Sequence, residues 1–82
     1  MQLKTLFRST AAKAELANAR QARYAIWRKA SRAAAASYRT WSDAGGGERD
    51  PAYESYLRAL EREEYAARAY QQLVEQVTAE MR

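Results

Sequence analysis

All three glycines and the single proline of this 82-residue chain fall within residues 45 to 51, in the stretch GGGERDP. On either side the sequence runs for more than thirty residues without a glycine or proline to interrupt a helix. Glycine is costly inside a helix and readily takes the left-handed conformation that ends one, whereas proline is tolerated in the first helical turn because its missing amide hydrogen has no partner there. The sequence therefore predicts an all-α chain with one break: a helix over 10–42, a turn over 43–50 and a helix over 51–81. Asp50 is the expected cap of the second helix and Pro51 its first helical residue.

Periodicity gives each helix a face. In the second, Tyr53, Tyr56, Leu60, Glu63, Ala67, Tyr70, Val74, Val77 and Met81 follow alternating steps of three and four, which lines one side of a helix toward a partner. Glu54 with Arg58 and Glu64 with Arg68 are acid-first i,i+4 pairs. The first helix is rich in alanine, the strongest helix former, and its clearest stripe is Tyr24, Trp27, Ser31, Ala34, Tyr38 and Trp41. Folding the two helices back on each other about the turn makes facing positions sum to about 93, because both rise equally per residue. Trp41 then faces Tyr53, Tyr38 faces Tyr56, Ala34 faces Leu60, Trp27 faces Ala67, and Tyr24 faces Tyr70. Glu63, the charged member of its stripe, falls near Arg28, Ser31 and Arg32, and an ion pair to one of those arginines is expected.

A hairpin of two helices buries one narrow face of each, which sets little apolar burial against the entropy of ordering some 80 residues. Small domains commonly add disulfides or metals. This chain has no cysteine and no histidine, so neither disulfides nor thiolate or imidazole metal sites are open to it. Association is the expected support, through a four-helix bundle or a larger helical assembly, with either a second copy or another protein. The expected interaction residues are Tyr24, Trp27, Tyr38, Trp41, Tyr53, Tyr56 and Tyr70, together with Leu3, Leu6 and Phe7. Those last three belong to residues 1–9, which project past the second helix in this register, either as a frayed terminus or as an anchor for a partner's groove.

Charge is unevenly placed. Residues 1 to 44 carry nine Lys or Arg against Glu15 and Asp43, and residues 45 to 82 carry five Arg against eight acids, so the halves are +7 and −3. The basic first helix, interleaved with Tyr and Trp, supports an alternative reading as a nucleic-acid binder that contacts phosphates through Arg28, Arg32 and Arg39. The aromatic residues share a helical stripe, however, and neither helix has the short format of a helix-turn-helix.

Enzymatic function is not expected. Ser-His and Cys-His nucleophiles are impossible without histidine, and the glycine run lacks the Lys-Ser/Thr that follows a phosphate-binding loop. Glu61, Glu63 and Glu64 read as a solvated acidic face. No catalytic residue, cofactor, metal or small-molecule substrate is expected. The first helix is basic enough for a membrane surface, but its apolar stripe has a match in the same chain, so no membrane partner is expected either. With neither a signal-peptide h-region nor a run of about 20 apolar residues, the expected location is the cytoplasm.

The layout of two helices, with Trp41 near the end of the first and Ala52-Tyr53 opening the second, is similar to the small Trp-x-Gly substrates of type VII secretion, which form helical-hairpin dimers. Ser42 and Asp43 follow the tryptophan where that motif has glycine, and Val74 stands four residues after Tyr70 where the export signal has an acid. The similarity, confined to residues 38–57, is one of architecture, and no residue role follows from it.

Overall fold

The computed structural model describes the backbone of residues 2–80 and the side chains of residues 10–79. Helix α1 runs Gln2–Asp43 and helix α2 runs Arg49–Glu80, joined by a 3₁₀ turn at Gly46–Glu48. The two helices pack against each other and the described residues contain no strand, so the chain is an all-α helical hairpin. The antiparallel register is fixed by ring contacts: Trp41 meets Tyr53 at 4.9 Å, Tyr38 meets Tyr56 at 5.5 Å, and Tyr24 meets Tyr70 at 5.5 Å between centroids. These are three of the facing pairs predicted from equal rise about the turn. Trp27 lies one turn further along than expected, stacked on Tyr70 with an interplanar angle of 16°.

Alanine content explains why α1 is a helix, and packing explains where it is held. At about 1.5 Å per residue a helix of 42 residues is about 63 Å long and one of 32 about 48 Å, so α1 outruns α2 at the open end. The molecule measures 70 × 15 × 13 Å. Residues 10–15 of α1 are all exposed, and Leu16 is the first described side chain to be partly covered.

The seam between the helices is built from small side chains. Ala34, Ala59, Ala66 and Leu73 are the buried residues among those described, and on α2 they recur at intervals of seven. Trp27, Ala30, Ser37 and Trp41 continue the line on α1, and Ala52, Tyr56, Glu63, Tyr70 and Val77 continue it on α2, all half-buried. This corrects the predicted stripes by a fraction of a turn. On α2 the innermost line passes through residues 52, 59, 66 and 73, leaving Leu60, Ala67 and Val74 half-buried on the flank and Tyr53 exposed. The reason is steric: alanine at the contact lets two helices approach toward the short end of the roughly 8–10 Å range of axial separations. The larger rings of Trp27, Trp41, Tyr56 and Tyr70 are only half-buried and stack on one another at the edge of this seam.

The turn closes under Trp41. The amide of Ala44 donates to the Trp41 carbonyl at 3.2 Å, Gly45 is extended, Gly46 takes a φ of +60°, and the amides of Glu48 and Arg49 donate back to the carbonyls of Gly45 and Gly46. Helix α2 thus begins ahead of Asp50, and the cap expected of that residue is not what starts it. Asp50 instead sits in the first turn, where the exposed amides of the helix end favour a negative charge. Pro51 is in the same turn, where its lack of an amide hydrogen costs nothing.

Candidate interaction surface

The hairpin has two broad faces, one on each side of the seam. The first carries the aromatic residues singled out by the sequence. They form two clusters: Tyr24, Trp27 and Tyr70 toward the open end, and Tyr38, Trp41, Tyr53 and Tyr56 at the turn. Trp41 is stacked on Tyr56 at 5.6 Å with an interplanar angle of 13°, meets the edge of Tyr38, and has the Arg49 guanidinium 5.7 Å from its ring centre. Aromatic contacts of this kind contribute about 0.5–1.5 kcal/mol each beyond the area they bury. These rings are therefore engaged first with one another, although Tyr24 and Tyr38 remain 46% and 50% exposed.

Between the clusters, on the same face, Glu63 lies half-buried in a shallow depression of about 370 Å³ with Ser31, Ala34, Tyr38, Arg39 and Leu60. The expected ion pair from Arg28 or Arg32 is not formed. Rotation of the seam places Ser31 beside Glu63, while Arg28, Arg32 and Arg39 are all exposed. Among the described residues the ion pairs are Glu54 with Arg58 at 3.7 Å and Glu64 with Arg68 at 3.3 Å, both within α2 and both foreshadowed by their spacing.

The second face was not picked out by the sequence pattern. It holds an open groove of about 870 Å³ whose floor is alanine from both helices: Ala30 and Ala33 from α1, Ala66 and Ala69 from α2. Ile26 stands on one wall and Tyr65 on the other, 61% and 77% exposed, the two most exposed large apolar side chains described. The rim is basic, with Arg23, Lys29, Arg58 and Arg62 against a single acid, Glu61. Arg23 donates from Nη1 to the carbonyl of Ala69 at 3.2 Å, the one hydrogen bond between the helices among the described residues. Lys29 and Arg62 take part in no ion pair there.

Ile26 and Tyr65 each sit off the aromatic stripe of their own helix. That displacement is the signal available in the sequence, but it acquires meaning only once the register sets the two on one groove. The side chains of Leu3, Leu6 and Phe7 lie outside the described residues. The three clustered glutamates diverge: Glu61 joins the groove rim, Glu63 the opposite depression, and Glu64 the pair with Arg68. Among the described residues no group of three or more metal-ligating side chains gathers, and no helix is long and apolar enough to cross a membrane.

Comparison with protein-family models, with curated proteins and with solved structures gave no match.

Proposed function

We propose that the chain is a non-enzymatic interaction module, a helical hairpin that completes its core by packing on a further helical surface, from its own copies or from another protein. One observation carries this reading. The chain exposes 6892 Å², whereas a compact monomer of 9.3 kDa exposes about 5,000 Å² by the usual scaling with mass. The difference is about 1,900 Å², and a standard interface takes about 800 Å² from each partner. The radius of gyration, 19.1 Å, exceeds the roughly 12 Å of a globular chain of this length for the same reason. Paired helices with seven-residue spacing at the seam are well suited to further coiled-coil packing into a four-helix bundle.

Light scattering of the purified chain across a dilution series tests the proposal. The expected result is either a dimer or larger closed assembly, or a monomer of low helicity that gains structure with a partner. A monomer that is fully helical and unfolds cooperatively on its own would contradict it.

The nucleic-acid alternative has its own support in Arg28, Arg32 and Arg39, which are exposed and outside the described ion pairs. With Trp27 stacked on Tyr70 and Trp41 on Tyr56, such binding would run through phosphates and carry little sequence preference. Steep loss of duplex binding with added salt is its signature.

A further inference from the structure

Whereas the aromatic face is largely taken up by rings stacked on one another, the groove between Ile26 and Tyr65 is open over an alanine floor. Resting on the interaction reading above, we propose that it receives one amphipathic helix from another protein, with acidic residues flanking its apolar stripe, as the third helix of the bundle. Shape and charge argue this independently. A floor of alanines from two antiparallel helices leaves a trough in which a third helix can bring its larger apolar side chains down between Ile26 and Tyr65. An amphipathic helix laid in such a groove is a recurrent mode of recognition.

The rim selects the occupant. Four basic side chains stand against Glu61, and the one other acid engaged there, Glu54, pairs with Arg58. A second copy seated by a two-fold axis would bring this same patch onto itself, setting Arg23 and Lys29 against the mate's basic edge on α2. Like charges across an interface oppose association, and complementary ones set partner choice and the rate of encounter more than raw affinity. A helix flanked by Glu or Asp supplies partners for Lys29 and Arg62, which take part in no ion pair among the described residues.

The test uses the full chain and two synthetic helical peptides, each about three heptads long. Both carry the same Leu and Ile stripe; one is flanked by Glu and the other by Lys. Titration calorimetry at low salt should show the Glu peptide binding at least about tenfold more tightly, with the advantage shrinking as salt rises. The double variant Lys29→Glu, Arg62→Glu should reverse the preference, and Tyr65→Ala should weaken binding of the Glu peptide while circular dichroism of the free chain stays unchanged. Equal affinity for the two peptides, or a preference untouched by the charge reversal, would overturn the proposal.

Absence of binding to either peptide also overturns it, and light scattering of the same sample then decides how far the failure reaches. A closed dimer, or a mass that grows with concentration, shows that copies of the chain associate with one another and leaves the interaction reading standing. A fully helical monomer removes both.

Discussion

Gly46 has the one positive φ among the described residues, at +60°, and a Cβ added there would meet no atom within 4 Å. Its substitution is therefore a test of backbone conformation alone. Gly46→Ala should destabilise the hairpin by about 1–2 kcal/mol, the cost of holding an L-residue in the left-handed region. Gly45 and Gly47 have equal space but no positive φ, so Gly45→Ala and Gly47→Ala should be neutral or stabilising by up to about 1 kcal/mol, through a less flexible unfolded chain. Thermal unfolding of the three variants separates the positions. The sequence places the turn through its glycine run, but it does not say which glycine the turn needs, because that depends on how the chain leaves Trp41 and enters α2. Asp50 makes the same point: it has the residue type and position of a cap, yet the helix starts earlier, on the Gly45 and Gly46 carbonyls.

At the scale of the helices, the stripe read from the sequence and the seam found in the structure share Tyr56, Glu63, Tyr70 and Val77 on α2. Steps of three and four leave two companion lines open, one through residues 53, 60, 67 and 74 and the other through 52, 59, 66 and 73. Large side chains mark the first as core, whereas close approach of the backbones selects the second, and sequence alone does not reveal the approach. On α1 the abundance of alanine weakens the contrast: the spacing of the aromatic residues picks out Ala34, which is buried, but Ala30 looks like the exposed Ala33 and Ala35. The distinction predicts opposite outcomes for one chemical change. Ala59→Leu places a large side chain in a buried position and should destabilise the fold by about 1–3 kcal/mol. Ala67→Leu, on the half-buried flank, should cost far less, because the added atoms have open surface to lie on. Denaturant midpoints of the two variants provide the comparison. Ile26 and Tyr65 were illegible for a related reason: a lone bulky residue off the stripe is ordinary on a surface, and their meeting at one groove appears only when the register is known.

For the molecule as a whole, the opposite charges of the two sequence halves do not become ion pairs across the hairpin among the described residues. Both described pairs lie within α2 and are exposed, where each contributes about 0–1 kcal/mol. Among the described residues, what holds α1 to α2 is the alanine seam with Leu73, the stacked rings on one flank, and the hydrogen bond from Arg23 to Ala69. Four of the described residues are buried and the other flank holds an open groove, and on this rests the proposal that a further surface completes the core. Hydrogen exchange, measured at a dilution where light scattering finds a monomer, tests this most directly. The amides of Ala34, Ala59, Ala66 and Leu73 should exchange together and fast, and should become protected when concentration or a bound helix completes the core. A monomer that keeps those amides protected for hours would contradict the claim that the hairpin needs another surface to be stable.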